Sequence, residues 1–567
     1  MHLLKLKCPP SVWNTQAPSG DIRSDWPLLH RLSIDQPEIF WPLLLEEFHF
    51  KFHRPPTQIL KHSTPDGDPD AVEWLPGARF NIAECALTAH DPDRPAILWA
   101  EEDAPATIYT ITRGELAQQA QHIADALHAW GLKPGDAVGL DMPMVPEAVA
   151  AYLGIILAGC VAVSIADSFA AKEIESRLRI AKAKAIITQD IVLRGGKVLP
   201  LYARVTEAGA PKAVVLPAGG SAGGGSRSGG GEKKKKTIRG ELRSGDLSWD
   251  AFLSLVSTVP IALNPYIHPG NDSNTTLSGI LFSSGTTGEP KAIPWTHVTP
   301  IRCAADAYFH QDVRVEDVVC WPSSMGWMMG SWLVMSCLFN GAAMALFTGS
   351  PLERQFGQFV SSARVSVLGI VPSIVRSWKS SGCMRGIDWS CIRCFSSTGE
   401  ASAADEYLWL SSLAGYSPVI EYCGGTEIGG GFLSGSMVQP QAPATFSTPT
   451  IGSRPVIILA GENTKEVLLE PGNTSLKTSV TGELALVMPQ LGVSQSLLNA
   501  NHKQVYFEGM PRPTLRRHGD EIEALPGGYC RAHGRVDDTM NLGGIKVSSV
   551  ELEQAVVEGV EEIAEAA

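Results

Sequence analysis

Apolar positions in this chain come in short blocks whose period keeps switching, and the switching is the first guide to its fold. Pro95-Ala-Ile-Leu-Trp99, Gly135-Asp-Ala-Val-Gly-Leu140 and Ala185-Ile-Ile-Thr188 are runs of strand length. Between the first two, Thr112–Trp130 is an amphipathic helix, and Thr112 followed by Glu115 is a capping box that starts it. Val149–Ala166 and Gly326–Leu352 are uncharged and approach membrane length. Gly154 and Gly159 interrupt the first, which ends in a β-type Val-Ala-Val-Ser-Ile, and Asn340-Gly341 breaks the second as a turn. Both read as buried helix-then-strand units rather than spans. Val365-Ser-Val-Leu-Gly-Ile-Val371 is a near-continuous apolar strand suited to burial on both faces. Alternation of this kind predicts an α/β fold with doubly covered, largely parallel sheets. No Gly-x-Gly-x-x-Gly opens any of these helices, which disfavours a Rossmann cofactor site.

At 567 residues the chain is too long for one ordinary core and predicts two to four domains or subdomains. The 46 basic and 59 acidic residues leave a net charge of −13, which argues against nucleic-acid or membrane-surface binding. Eleven cysteines are scattered without a disulfide rhythm, so a reducing compartment is expected. Cys391-Ile-Arg-Cys394 has no second pair and reads as buried thiols rather than a zinc site. The first ten residues lack the apolar core of a secretory signal. The expectation is a soluble protein, with oligomeric state left open.

Residues 1–31 give no assignable element, and 32–88 form a small cap anchored by aromatics such as Phe40, Trp41 and Trp74. A large domain spans 89–537, with a smaller β-rich subdomain from about 450 to 537, and 538–567 begin a further small unit. Within 217–245, eight glycines fall between Gly219 and Gly231, followed by Lys233-Lys-Lys-Lys236 and Arg239. That is the composition of a solvated, flexible insert.

The chemistry centres on Leu281-Phe-Ser-Ser-Gly-Thr-Thr-Gly-Glu-Pro-Lys-Ala-Ile-Pro294. A strand opens into a loop in which Gly285 and Gly288 let backbone N–H groups turn inward as an anion-binding nest. Ser283, Ser284, Thr286 and Thr287 add hydroxyl donors, and Lys291 adds a positive charge. The pattern is a polyphosphate cradle but not a Walker A loop, since the glycines are too close and Pro290 precedes the lysine. The competing account is an ordinary surface turn. Two further clusters follow. Cys394-Phe-Ser-Ser-Thr-Gly-Glu-Ala401 is a strand ending in a tight turn, the end of a strand where doubly wound sheets hold ligands. In Glu421-Tyr-Cys-Gly-Gly-Thr-Glu-Ile-Gly-Gly430, Thr426 can donate to an α-phosphate, and Glu427 is a hard oxygen ligand suited to Mg2+ bridging phosphates. Then come His518-Gly-Asp520 and Gly534-Arg-Val-Asp-Asp538. For Arg535 with Asp537 or Asp538 the competing account is a surface ion pair.

These clusters, in this order, resemble the adenylate-forming superfamily of acyl-CoA synthetases, luciferases and peptide-synthetase adenylation domains. The likeness runs from about Gln36 to Glu553, with 32–88 resembling the entry segment of acetyl-CoA-synthetase-type members. The wording around Ile280–Pro294 and Ile545–Glu553 most resembles plant peroxisomal acyl-activating enzymes. The resemblance implies an acid–thiol ligase that joins a carboxylic acid to AMP at the expense of ATP, with Mg2+, and then forms a thioester with CoA. It makes Gly399-Glu400-Ala401 the adenine-binding turn, with Ala401 in place of the usual proline. Asp520 and Arg535 become ribose-hydroxyl ligands and Asp537 the hinge between large and small domains. Gly543 and Gly544 would sit beside the thiol path, and Lys546 takes a place often held by arginine. Peroxisomal residence is implied only by resemblance, since Glu565-Ala-Ala567 is no Ser-Lys-Leu-type address and a cytoplasmic protein is the alternative.

Acetate-specific relatives carry a tryptophan two residues before the Thr-Glu pair, where this chain has Gly424 between Cys423 and Gly425. Loss of the indole would open the acyl pocket, so medium-chain or aryl acids are expected over acetate. Trp327 is expected to line the same pocket, with core packing as the competing account. Family members carry a complete small domain after the hinge, whose late lysine reaches the reacting carboxylate. Residues 538–567 hold only a strand pair and one helix, capped at Ser548 and Glu551, so the sequence reads as cut and weak or absent turnover is expected. The alternatives are a catalytically deficient nucleotide-binding module, or adenylation with a non-CoA acceptor.

Overall fold

The computed structural model describes residues 19, 21–62, 72–218, 238–256, 263–268, 272–283, 289–459, 465–472, 476–536, 539–542 and 545–548. Among the described residues, three large sheets with helices between them form an α/β body. The first, with seven strands, runs parallel through Lys212–Leu216, Ala185–Gln189, Ala137–Asp141, Val161–Ile165 and Leu277–Ser283, and ends in the antiparallel strand Lys291–Thr296. The second has nine strands and a parallel centre containing Val367–Ile370, Cys394–Ser397 and Val419–Gly425. The third is a five-stranded antiparallel sheet holding Pro455–Leu459, Val480–Val487, Leu515–Ala524 and Cys530–Arg535.

Local sequence explains the elements. The helix Arg113–Ala129 begins at the Thr112–Glu115 capping box, with both reciprocal hydrogen bonds formed. The two long uncharged stretches are helix-then-strand units: Pro146–Leu157 leads to Val161–Ile165, and Met328–Asn340 leads to Ala343–Phe347. Both helices are apolar almost all round because the sheets and neighbouring helices enclose them. Among the described residues no helix is long and apolar enough to cross a membrane. The described cysteines are free thiols; Cys394 is buried and Cys391 half-buried.

The helix Ile22–Asp35 has no counterpart in the reading of the sequence, where Pro27 inside it obscures the pattern. Its Trp26 indole donates to Thr448 Oγ1 at 3.0 Å, and His30 Nε2 donates to the Ser453 carbonyl at 2.8 Å. Beside it His310 donates from Nδ1 to the Gly435 carbonyl at 2.8 Å and accepts at Nε2 from Ile451 N at 3.1 Å. Burial pushes both imidazoles down to about 3, so they stay neutral. The amino-terminal helix is thereby pinned to the chain that enters the five-stranded sheet.

Residues 539–542 and 545–548 form an antiparallel strand pair. The helix expected from Ser548 onward lies outside the described residues, as does 219–237 of the Gly/Lys-rich insert.

Candidate active site

The strands Leu277–Ser283 and Lys291–Thr296 form a hairpin in which Ser283 pairs with Lys291, so the Gly/Thr loop leaves and returns at that pair. Ser284, Gly285, Thr286, Thr287 and Gly288 themselves lie outside the described residues. The base of the loop is clamped from outside. Asn499 accepts from Ala292 N at 2.9 Å and donates to the Pro290 carbonyl at 2.9 Å, while Leu498 N donates to the Ala292 carbonyl at 3.1 Å. Arg179 pairs with Glu289 at 2.6 Å, though both are exposed and the pair adds little. The Ser283 hydroxyl is buried with no hydrogen-bond partner among the described residues.

Thr426 and Glu427 follow the strand Val419–Gly425, at the carboxyl end of the second sheet. The indole N–H of Trp295 donates to the Thr426 carbonyl at 2.8 Å, and Ser494 N donates to the Glu427 carbonyl at 2.8 Å. Below this turn sits the ion pair Arg302–Asp306, at 3.1 Å and with both side chains 0% exposed. Asp306 accepts from Tyr422 OH and Gly431 N, each at 2.7 Å, and Arg302 donates to the Gly431 carbonyl at 2.9 Å. The turn is therefore fixed on both of its flanking strands.

The third sheet supplies the other wall. Asp520 and Arg535 are register partners, with Arg535 Nη1 at 3.4 Å from Asp520 Oδ1 and donating to the His518 carbonyl at 2.7 Å. His518 Nδ1 lies 2.7 Å from Asp520 Oδ2. Gly519 has φ +83°, and a Cβ on it would meet Arg535 Nη2 at 2.7 Å, so the guanidinium packs where only glycine fits. A Cβ on Gly425 would meet His518 Nε2 at 2.9 Å and Glu427 Oε2 at 3.0 Å, so the imidazole and that carboxylate both pack against this glycine. Glu427 Oε1 is 3.5 Å from the Tyr506 hydroxyl, and Lys291 Nζ is 5.7 Å from the centre of the Tyr506 ring. Lys291 and Glu427 thus both approach Tyr506, while His518, Asp520 and Arg535 form a second group that meets Glu427 around Gly425.

Gly399-Glu400-Ala401 follows the strand Cys394–Ser397. One Glu400 oxygen accepts from Ser373 N at 3.1 Å, at the start of the helix Pro372–Ser381, so this side chain caps a helix. Ser402 donates to Glu421, whose carboxyl is buried and pushed up to about 8 by desolvation. Trp327 is half-buried, edge-on to Phe169 at 5.5 Å, in the cluster that also contains Phe282 of the loop hairpin.

Gly424 departs from expectation. A Cβ there would meet the Gly430 carbonyl oxygen at 2.1 Å, because the paired strand Gly430–Ser434 runs hard against it. Backbone fills the space next to Gly424, so the missing indole does not leave a void at that point. Its neighbour Cys423 is half-buried on the same strand. Asp537, Gly543 and Gly544 lie outside the described residues, and Lys546 stands opposite Asn541 in the last strand pair. Tyr506, Arg516 and Trp295 were not legible as site residues, since each reaches the crevice through contacts distant in sequence.

The arrangement suits a magnesium nucleotide. Among the described residues no three metal-ligating side chains converge, and one carboxylate completed by substrate phosphates and water is a usual way to hold Mg2+. Glu427 and Lys291 both approach Tyr506, the first at its hydroxyl and the second at its ring.

Comparison with known proteins gives the family. Residues 86–492 match the AMP-binding enzyme family, and residues 28–86 match the acetyl-coenzyme A synthetase N-terminus. A probable peroxisomal acyl-activating enzyme 17 of Arabidopsis thaliana is 48% identical over 94% of this chain and 71% of its own length. A hexanoyl-CoA synthase of Cannabis sativa is 46% identical over 92% of this chain and 70% of its own. An acetyl-coenzyme A synthetase of Shewanella denitrificans is 28% identical over 95% and 80%. Among solved structures, the acetoacetyl-CoA synthetase from Streptomyces lividans superposes with a TM-score of 0.76 at 26% identity, covering 97% of this chain and 80% of that one. The chain belongs to the AMP-binding enzyme family, as an acid–thiol ligase of the acyl-CoA synthetase type whose cofactors are ATP, Mg2+ and CoA.

Proposed function

We propose that this chain activates a medium-chain or aryl carboxylic acid in preference to acetate. The observation that carries the reading is the gap in likeness: 46% identity to a hexanoyl-CoA synthase against 28% to acetyl-coenzyme A synthetases. In the first step the acid's carboxylate attacks the α-phosphorus of ATP, and pyrophosphate leaves with the electrons of the broken P–O bond. In the second the CoA thiol attacks the acyl carbon, its proton is lost to solvent, and AMP departs. Lys291 and the hydroxyl loop would hold the polyphosphate by charge and hydrogen bonds, and Thr426 would donate to the α-phosphate. Glu427 would hold Mg2+, which when bound neutralises phosphate charge. Asp520 would accept from a ribose hydroxyl while Arg535 donates, each kept in place by the other and by His518. Gly399, Glu400 and Ala401 would border the adenine, and Gly543, Gly544 and Lys546 the thiol path.

Trp327, Cys423 and Gly425 belong to the proposed acyl pocket, with Trp327 half-buried on the cluster behind the loop hairpin. Peroxisomal residence is part of the proposal, supported by relatives of that description at 48% and 47% identity. The substrate reading is tested by acyl-CoA formation and pyrophosphate release over acids from acetate to decanoate and cinnamate. An optimum at six or more carbons, or at the aryl acid, supports it; a clear optimum at acetate overturns it.

A further inference from the structure

Arg516 lies on the strand Leu515–Ala524, four residues before Asp520, and is 0% exposed. None of its three guanidinium nitrogens has a hydrogen-bond partner among the described residues. Its Cζ sits 3.7 Å over the ring of Tyr506, which ends the short helix His502–Tyr506 and is itself buried. A guanidinium removed from water without acceptors is costly, so it persists only where something offsets the loss. Here the offset is the π face of Tyr506. The far end of that ring carries the hydroxyl 3.5 Å from Glu427 Oε1, and Lys291 Nζ approaches the ring at 5.7 Å. Two cations flank one aromatic ring whose polar tip meets the carboxylate. A ring held in this way has little rotational freedom, and its hydroxyl lies within reach of the Glu427 carboxylate.

We propose that Tyr506 and Arg516 are a positioning pair for Glu427: Arg516 fixes the Tyr506 ring by stacking, and the Tyr506 hydroxyl holds the carboxylate in the orientation that receives a divalent cation. Neither residue touches the reacting atoms. The inference rests on the reading of Glu427 as the Mg2+ ligand and adds what makes that ligand competent. Partners of metal ligands typically influence affinity by about 10–100-fold. The pair should therefore govern binding of the metal–nucleotide complex and leave metal-free nucleotide alone.

Calorimetry with ATP tests this, in Mg2+ and again in excess EDTA, on wild type, Tyr506→Phe and Arg516→Met. Tyr506→Phe keeps the ring and deletes only the hydroxyl, so it decides the matter even if Arg516→Met fails to fold. The expected result is MgATP affinity weakened about tenfold in Tyr506→Phe, with affinity in EDTA unchanged. Mn2+ binding to the ATP complex, followed by electron paramagnetic resonance, should weaken in parallel. Unchanged MgATP affinity in Tyr506→Phe, or equal losses with and without metal, overturns the positioning role. If wild type itself binds ATP no more tightly with Mg2+ than without, the reading of Glu427 fails instead, and the two failures are distinguishable.

Discussion

Trp295 donates its indole N–H to the main-chain carbonyl of Thr426 at 2.8 Å, tying the strand that closes the hydroxyl loop to the turn that presents Glu427. The residues are far apart in sequence: Trp295 is in the seven-stranded sheet, and Thr426 is in the turn that follows a strand of the nine-stranded sheet. Trp295 is buried, so Trp295→Phe leaves a carbonyl without its donor, at a cost of about 1–3 kcal/mol. Since the turn also carries Glu427, proposed above to hold Mg2+, kcat should fall roughly tenfold, the equivalent of about 1.4 kcal/mol. Steady-state kinetics and urea unfolding check both. A kcat equal to wild type would mean that this bond does not set the turn.

The buried pair Arg302–Asp306 carries the strands on either side of the same turn. Removing one member strands the other charge in the core, so Asp306→Ala should lose about 3–5 kcal/mol. Replacing both with apolar residues should cost less than the two single changes combined, because neither charge is then left alone. Urea unfolding of the three variants measures this, and simple additivity would contradict it.

Glu421 titrates in a pH range that physiology reaches. Burial raises its carboxyl from 4.5 to about 8, so between those values the folded chain binds a proton that the unfolded chain does not. Linkage then makes its contribution to stability fall as pH rises through that window, with a slope on the order of 1 kcal/mol per pH unit. Glu421→Gln, a neutral mimic, removes the slope. Between pH 5 and pH 8 wild type should lose stability relative to the variant, read as diverging urea midpoints; parallel midpoints would argue against a protonated Glu421.

Gly424 separates two accounts of the acyl pocket. With the Gly430 oxygen 2.1 Å from any Cβ, Gly424→Ala forces the paired strands apart and should destabilise by about 1–3 kcal/mol. If the glycine instead floored an open pocket, alanine would be accommodated and the optimum would shift to shorter acids. Unfolding midpoints and an acyl-length series on the variant distinguish these.

How much of this was legible in the sequence follows from the range of each signal. The capping box at Thr112 and Glu115, the apolar strand Val367–Ile370 and the Ser283–Lys291 hairpin are local, and composition over a few residues suffices to write them. The order of the ligand clusters was legible too, because short motifs carry their chemistry with them. What sequence conceals is which distant side chains meet. Tyr506 reads as one more aromatic and Arg516 as a charge in a basic run, until the fold stacks one on the other beside Glu427. Gly424 shows the same gap in reverse. A glycine in place of a bulky residue suggests room, yet a neighbouring strand already occupies it.

The central claim is that one crevice between Lys291, Glu427 and Asp520 grips the nucleotide. A crystal structure with a non-hydrolysable ATP analogue and Mg2+ tests it most directly. The account predicts phosphates beside Lys291, the metal on Glu427, and the ribose hydroxyls on Asp520 and Arg535. A nucleotide bound away from these residues, or with its ribose out of reach of Asp520, would contradict it.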